Sequence, residues 1–233
     1  MVPIYGLQKT TLLDYPGHVA STIFLGRCNF RCPYCQNSSL LDPKETTPFY
    51  TEEDLFDHLL RRKGILEGVC ITGGEPTLTK DLKPFIQTIK DMGYLVKLDT
   101  NGSHPSMLKE LIEEGLLDMV AMDIKNSLSR YGMTIGVPSF NKSLIEESVV
   151  LLKEGRIPYE FRTTLVKEFH GKEELLSISK WLRGESLYYL QNYQDGQEVL
   201  CEGLHGFSPE ELKELLSIVQ PLLPNASIRG VAI

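Results

Sequence analysis

Residues 19–35 read VASTIFLGRCNFRCPYC, a mostly apolar, β-branched run that passes through one glycine into a group of three cysteines. The first seven residues predict a buried strand, because β-branched and aromatic side chains fit a pleated, covered surface. Cys28, Cys32 and Cys35 follow directly after that strand. The stretch therefore predicts a strand that carries a chemically reactive loop at its carboxyl end.

The same kind of strand recurs six times further along the chain. These strands are predicted at 68–72, 94–100, 118–124, 158–166, 186–192 and 226–232. Helical patterns fill the gaps, near 52–62, 81–92, 105–114, 142–154, 172–183 and 209–220. The run Ser208-Pro209-Glu210-Glu211 predicts the start of the last helix through a capping box. Six βα units and a final strand predict an α/β fold with parallel strands.

Seven strands are too few for a closed eight-stranded barrel, and a partial barrel and a flat, doubly wound sheet both satisfy the alternation. No linker rich in Pro, Gly or Ser interrupts the units, so residues 1–233 are predicted to form a single domain. In either architecture ligands bind at the carboxyl ends of the strands. We expect the functional site at that edge.

The composition excludes several classes of function. The 233 residues carry 24 Lys and Arg against 31 Asp and Glu, a net charge of −7 without a basic run, so nucleic acid is not an expected partner. No apolar stretch reaches the roughly 18 residues that span a bilayer, and the first residues lack a signal-peptide pattern. We therefore expect a cytoplasmic protein that does not contact a membrane.

Polar residues and glycines collect after the other predicted strands. They are Gly73, Gly74 and Glu75 after the second strand, Asp99, Thr100 and Asn101 after the third, Asp123 and Lys125 after the fourth, and Arg162 within the fifth. Each feature alone is explained by a turn or a helix cap. Because the carboxyl ends of parallel strands share one edge, we expect these residues to lie near the cysteines.

Three thiols spaced C-x₃-C-x₂-C fit a soft metal centre. A structural zinc site needs four ligands, but Cys70 and Cys201 are distant in sequence and no histidine lies within the group. A [4Fe–4S] cluster normally takes four thiolates, so three leave one iron open for a small chelating molecule. That favours catalysis, with a non-catalytic iron–sulfur electron carrier as the alternative.

The motif from Cys28 to Cys35, with Tyr34 before its last cysteine, and the later run Gly73-Gly74-Glu75-Pro76 resemble the radical S-adenosylmethionine superfamily. The runs DYPG at 14–17, DTNG at 99–102 and MDIK at 122–125 are similar to those of glycyl-radical-enzyme activases. The chain is most like anaerobic ribonucleoside-triphosphate reductase activating proteins. This resemblance implies a partial (β/α)₆ barrel of parallel strands with an open lateral mouth, plus a final C-terminal strand.

The resemblance also implies the chemistry of an oxidoreductase. Cys28, Cys32 and Cys35 would bind a [4Fe–4S] cluster, and S-adenosyl-L-methionine would chelate its open iron. An electron from a flavodoxin- or ferredoxin-type donor would cleave the cosubstrate to a 5′-deoxyadenosyl radical. That radical would take a hydrogen atom from a glycine of a partner glycyl radical enzyme, expected to be anaerobic ribonucleotide reductase.

The resemblance assigns roles to the remaining site residues. Tyr34 would lie along the adenine, Gly73, Gly74 and Glu75 would meet the methionine amino group, Lys125 would pair with the carboxylate, and Asp123 would reach the ribose. Asp99 and Thr100, with Asp123, would surround a monovalent cation, and Asn101 and Arg162 would complete the cofactor rim. On the sixth predicted strand the chain runs LQNYQ at 190–194, where pyruvate formate-lyase activase has a histidine for the ribose.

Two further expectations concern the substrate. Residues 126–140 and residues 14–17 are expected to form the contact surface for a partner's glycine-bearing loop, since long loops at such an edge often carry function. The alternative within the superfamily is an enzyme of a small molecule, such as 7-carboxy-7-deazaguanine synthase. The DYPG run at 14–17 favours the protein substrate.

Overall fold

The computed structural model describes residues 1–43, 49–194 and 199–230. Within them, one sheet of eight strands follows the order of the chain. The strands are β1 (Ile4–Thr11), β2 (Ala20–Leu25), β3 (Gly68–Gly73), β4 (Leu95–Thr100), β5 (Met119–Asp123), β6 (Tyr159–Leu165), β7 (Leu187–Asn192) and β8 (Ala226–Arg229). The helices are α1 (Glu52–Arg61), α2 (Leu82–Asp91), α3 (Pro105–Glu113), α4 (Tyr131–Thr134), α5 (Ser143–Lys153), α6 (Lys172–Leu182) and α7 (Pro209–Val219).

The seven strands from β2 to β8 pair in parallel, as predicted. The first strand, β1, pairs antiparallel with β2 and was not predicted from the sequence. Its central residues are partly or fully exposed, because it lies at the edge of the sheet, so it lacks the apolar run that identified the others. Val231 and Ala232, the end of the predicted last strand, lie outside the described residues.

Local capping explains why the helices begin where they do. The Ser208 hydroxyl accepts a hydrogen bond from the Glu211 amide at 3.2 Å, and the Glu211 carboxylate accepts one from the Ser208 amide at 2.6 Å. This is the predicted capping box, and it satisfies two amides that would otherwise lack partners. None of the helices in the described ranges has the length and apolar character needed to cross a membrane.

The two faces of the sheet differ in chemistry. On β4, Val96 and Leu98 belong to the buried apolar cluster that includes Ile86 of α2, while the alternate residues Lys97 and Asp99 form an ion pair with each other. Side chains alternate across a strand, so one face packs on helices and the other carries charge. The polar face is therefore the one available for a site.

The sheet is curved and open. Asp14, from the loop between β1 and β2, lines the same cavity as Gln191 at the end of β7, so the polar face is concave. Within the described residues β8 does not pair with β1. This arrangement is a partial barrel with a final C-terminal strand, which confirms the predicted fold class and rules out the flat sheet.

Candidate active site

A cavity of about 380 Å³ lies at the carboxyl edge of the sheet. That volume is within the roughly 300–1,000 Å³ of small-ligand pockets. Twelve of the thirteen predicted site residues line it: Cys28, Cys32, Cys35, Tyr34, Gly73, Gly74, Asp99, Thr100, Asn101, Asp123, Lys125 and Arg162. The thirteenth, Glu75, is buried and does not line the cavity.

The cysteine loop, residues 28–35, brings its three thiols to this cavity. The Cys35 amide donates to the Cys32 carbonyl at 3.0 Å, which closes the loop between them. The Cys28 sulfur accepts from the Phe30 amide at 3.4 Å and from Asn101 Nδ2 at 3.8 Å. Burial raises the pKa of Cys28 to about 11 and that of Cys32 to about 12, so both hold their protons until a metal replaces them.

Gly73, the last residue of β3, and Gly74, which follows it, lie against the start of the cysteine loop. The Gly74 amide donates to the Leu25 carbonyl at 2.8 Å, and the Glu75 amide donates to the Arg27 carbonyl at 2.7 Å. A Cβ at Gly74 would lie 2.0 Å from the Arg27 oxygen, and one at Gly73 would lie 2.2 Å from the Leu25 oxygen. Only glycine permits so close a backbone approach.

Residues 126–140 support the other side of the cysteine loop. The Arg31 amide donates to the Ile135 carbonyl at 2.8 Å. Tyr131 is fully buried, edge-to-face with Phe30 at a centroid distance of 6.5 Å. Much of the segment expected to contact a partner therefore braces the cysteine loop, and Met133 is its large exposed apolar residue.

Glu75 connects the loops after β3 and β4. Its buried carboxylate accepts from the Thr100 hydroxyl at 2.7 Å, from the Asn101 amide at 2.6 Å, and from the Thr77 hydroxyl and amide. Burial raises the pKa of Glu75, and these donors oppose the rise. The carboxylate thus fixes Thr100 and Asn101 and is turned away from the cavity that was expected to receive the methionine amino group.

Five charged side chains form an alternating chain across the concave face. Lys97 pairs with Asp99, whose second oxygen lies 3.0 Å from Arg162 NH1. Arg162 NH2 lies 3.0 Å from Asp123 Oδ1, and Lys125 Nζ lies 3.0 Å from Asp123 Oδ2. Asp99 and Asp123 therefore share one guanidinium.

This series of ion pairs ends at a cation, Lys125, that can bind an anionic ligand. Burial opposes ionisation of Asp123, but Arg162 and Lys125 outweigh it and lower its pKa to about 2. Burial also disfavours the Lys125 ammonium, yet Asp123 raises the pKa of that group well above its ordinary value. Each of the two carboxylates pairs with two cations. Lys125, the last cation of this series, lines the cavity, where it can pair with a ligand carboxylate.

Tyr34 forms part of the wall beside Lys125. Its ring is buried, and its hydroxyl donates to the Lys125 carbonyl at 3.5 Å. On the opposite side Asn101 links two loops, since its amide nitrogen donates to Asn29 Oδ1 at 3.0 Å and its own oxygen accepts from the Ser103 amide at 2.9 Å. Both residues are therefore fixed before any ligand binds.

The cavity also contains residues absent from the predicted set. They are the polar residues Asp14, Thr72, Thr164 and Gln191, among others. Alternation along β6 gives the signal for Thr164, two residues beyond Arg162. In the described part of the chain, the Thr164 and Gln191 side chains have no hydrogen-bond partner, whereas Asn192 exchanges two hydrogen bonds with the Phe207 backbone at 2.8 and 2.9 Å.

The donor set fits a [4Fe–4S] cluster. In the described ranges, no three His, Cys, Asp or Glu side chains converge as the ligands of a single metal ion. A cluster has a different requirement, because each cysteine binds a separate iron and the sulfurs surround the group. Three thiols on one cavity wall, with hydrogen-bond donors on the Cys28 sulfur, meet that requirement.

Comparison with known proteins gives consistent matches. The radical SAM superfamily, in which SAM denotes S-adenosylmethionine, matches residues 22–177. A Methanocaldococcus jannaschii protein named "Putative glycyl-radical enzyme activating enzyme MJ1227" is 31% identical over 98% of this chain and 96% of its own length.

Two solved structures share the fold. A domain of pyruvate-formate lyase-activating enzyme from Bacteroides vulgatus superposes with a TM-score of 0.56 at 18% identity, covering 70% of this chain and 99% of that one. Streptococcus suis SuiB bound to S-adenosylmethionine superposes with a TM-score of 0.66 at 16% identity, and the match covers 88% of this chain and 48% of that one.

Proposed function

Because the chain belongs to the radical SAM superfamily, we propose that it is an activating enzyme whose substrate is a glycine of a glycyl radical enzyme. The observation that carries the proposal is the similarity to the Methanocaldococcus jannaschii protein of that name over nearly the whole of both chains. Most of the expected cofactor residues around one cavity support it.

Enzymes of this superfamily use a [4Fe–4S] cluster and S-adenosylmethionine, and this enzyme does so too. We propose that Cys28, Cys32 and Cys35 hold the cluster. When bound, and given one electron by the external donor, the two groups would supply methionine and a 5′-deoxyadenosyl radical that can take a hydrogen atom from a carbon. The Phe30 amide and Asn101 donate hydrogen bonds to the Cys28 sulfur, and such bonds adjust a cluster's reduction potential.

Lys125 and the glycine pair would orient the methionine part of the cosubstrate. Lys125 lines the cavity and is the last cation in the series of ion pairs that begins at Lys97, so it can pair with the methionine carboxylate. Gly73 and Gly74 present bare backbone to the cavity, where the amino group can approach a carbonyl oxygen. Glu75 would act indirectly, by fixing Asn101 and Thr100.

Gln191 is our proposed contact for the ribose. Its amide can both donate and accept, as a pair of ribose hydroxyls requires. It faces the cavity and has no partner in the described part of the chain, while the neighbouring Asn192 is bound to Phe207. Asp123 would share the ribose, and Tyr34 would lie along the adenine.

We propose anaerobic ribonucleoside-triphosphate reductase as the partner, because the chain's motifs resemble its activating proteins. The partner's glycine loop would enter from the open side of the barrel, past Asp14. The proposal includes a single domain over residues 1–233, a cytoplasmic location and a flavodoxin- or ferredoxin-type electron donor.

The test is anaerobic incubation of the reconstituted enzyme with S-adenosylmethionine, a reductant and one candidate partner at a time. Electron paramagnetic resonance is expected to detect a glycine-centred radical on ribonucleotide reductase and none with Cys32→Ala. A radical only on another glycyl radical enzyme would overturn the partner but keep the class. Cleavage of S-adenosylmethionine that yields no protein radical would favour a small-molecule substrate, and no cleavage with a reduced cluster would favour an electron carrier.

A further inference from the structure

We infer that Arg162 takes the place of a monovalent cation in this enzyme, so that cosubstrate binding is independent of sodium and potassium. The resemblance to glycyl-radical-enzyme activases implies such a cation among Asp99, Thr100 and Asp123. The inference concerns the cosubstrate site of the superfamily, and it stands whether or not the proposed partner is correct.

The guanidinium of Arg162 already bridges the two carboxylates. Its NH1 lies 3.0 Å from Asp99 Oδ2, and its Nε and NH2 each lie 3.0 Å from Asp123 Oδ1. The side chain is only 13% exposed, so little water screens these contacts. Arg162 is thus held between the two strand ends at which an ion would have to bind.

The other oxygens of the expected ion site are also occupied. The second oxygen of Asp99 pairs with Lys97, and that of Asp123 pairs with Lys125. The Thr100 hydroxyl donates to Glu75 at 2.7 Å and accepts from the Gly102 amide at 3.1 Å. An alkali ion would have to displace an ion pair or a buried hydrogen bond to obtain its oxygen ligands.

The balance of charge also opposes an added ion. Asp99 and Asp123 each pair with two cations, so neither has an unpaired oxygen charge to attract a further one. Removal of the guanidinium would leave each carboxylate with one lysine, beside the Asp14 carboxylate that also lines the cavity. Such a variant would have both the space and the charge to recruit an ion.

The experiment measures the affinity of the reconstituted enzyme for S-adenosylmethionine by equilibrium binding, without turnover. Buffers contain potassium, sodium or the bulky tetramethylammonium ion at equal ionic strength, so that general screening is constant. The wild-type affinity is expected to agree among the three salts within about twofold. For Arg162→Ser we expect about a tenfold loss in tetramethylammonium, with recovery of much of that loss in potassium or sodium.

Arg156→Ser is the matched control. Arg156 also lies between two carboxylates, those of Glu113 and Glu154 at 3.1 and 2.8 Å, but it is on the surface with its side chain 48% exposed. Its loss changes the net charge equally, yet water can solvate the freed groups. The control should bind the cosubstrate like the wild type in every salt.

Two results would overturn the inference. One is a wild-type affinity that falls about tenfold in tetramethylammonium and returns with potassium, since an ion would then be bound beside Arg162. The other is an Arg162→Ser variant with wild-type affinity in all three salts. The wild-type arms decide the question even if the variant does not fold.

Discussion

The five cysteines have different surroundings, and these support the proposed assignment of three of them to the cluster. Cys70 is fully buried on β3 with its sulfur 3.8 Å from Lys97 Nζ, while Cys201 is exposed and its backbone amide donates to the Pro33 carbonyl at 3.0 Å. Neither lines the cavity that holds Cys28, Cys32 and Cys35.

We therefore expect Cys70→Ala and Cys201→Ala to retain a full cluster, and alanine at Cys28, Cys32 or Cys35 to prevent its assembly. Iron and sulfide analysis after anaerobic reconstitution measures this directly. Cys201 provides the stricter control because its backbone contacts the cysteine loop. Loss of iron on changing Cys70 or Cys201 would contradict the three-ligand assignment.

The Asp123 carboxylate makes stability depend on pH. Its pKa falls from 3.8 to about 2 in the folded chain, so the ionised form is stabilised by folding. A lowered pKa contributes stability above about pH 4, and this contribution, about 2 kcal/mol, is lost as the pH falls toward 2. In urea unfolding of the cluster-free chain, the advantage of the wild type over Asp123→Asn should shrink over that interval. A constant difference from pH 5 to pH 2 would exclude this role.

Gln191 and Asn192 are adjacent residues, but we expect substitution of Gln191 to lower cosubstrate affinity and substitution of Asn192 to lower thermal stability. Gln191→Ala should weaken binding of S-adenosylmethionine by about tenfold at unchanged thermal stability, because its side chain lines the cavity and makes no hydrogen bond within the described residues. Asn192→Ala should lower the thermal midpoint, because it leaves the Phe207 backbone without its partner. Equilibrium binding and thermal unfolding of both variants test the assignment, and the reverse pattern would refute it.

At the scale of elements, the periodicity of apolar residues in the sequence was sufficient to predict most of the helices and strands. The six long helices and seven parallel strands begin and end within a residue or two of the predicted positions among the described residues, because each has an apolar face to bury. β1 escaped prediction because an edge strand needs few apolar residues. Tyr131 was assigned to a contact loop because nothing local indicates that its ring packs on Phe30.

The junction between the glycine pair and the cysteine loop gives a prediction at this scale. Gly74→Ala would place a Cβ 2.0 Å from the Arg27 carbonyl, so it should cost about 3 kcal/mol and prevent stable cluster assembly. Gly93→Ala is the control, since a Cβ there meets nothing within 4 Å and only its left-handed backbone, with φ of +88°, is strained. The control should lose about 1 to 2 kcal/mol and keep its cluster. Urea unfolding and iron content distinguish the two, and equal effects would show that the close approach is unimportant.

At the scale of the whole molecule, the lining of the candidate site could be predicted as a set of residues, but the contacts among those residues could not. Twelve of thirteen expected residues share one cavity because parallel strands end at one edge. The sequence did not show that the Glu75 carboxylate accepts hydrogen bonds from the loop after β4. Nor did it show that Arg162 forms ion pairs with both Asp99 and Asp123. Asp123 and Arg162 are register partners on β5 and β6, and Arg162 also reaches past β5 to Asp99, so this network depends on strand register, which periodicity does not fix.

The segment 126–140 supports the cysteine loop, and we propose that it also contacts the partner; experiment can separate these two roles. Tyr131 is buried against Phe30 and its hydroxyl accepts from the Lys125 amide at 3.4 Å, whereas Met133 is 53% exposed on the same short helix, α4. Tyr131→Ala removes support from the cysteine loop and should lower both cosubstrate cleavage and radical transfer. Met133→Glu places a charge on the outer surface only.

Met133→Glu should therefore lower the yield of glycyl radical on the partner while cleavage of S-adenosylmethionine without partner continues near the wild-type rate. Chromatography of 5′-deoxyadenosine and electron paramagnetic resonance of the partner give the two readouts on one sample. If the Met133 variant lost both activities together, α4 would act only through the cysteine loop. If it lost neither, the partner would have to contact another part of the barrel, and residues 14–17, of which Asp14 lines the cavity, would be the next segment to test.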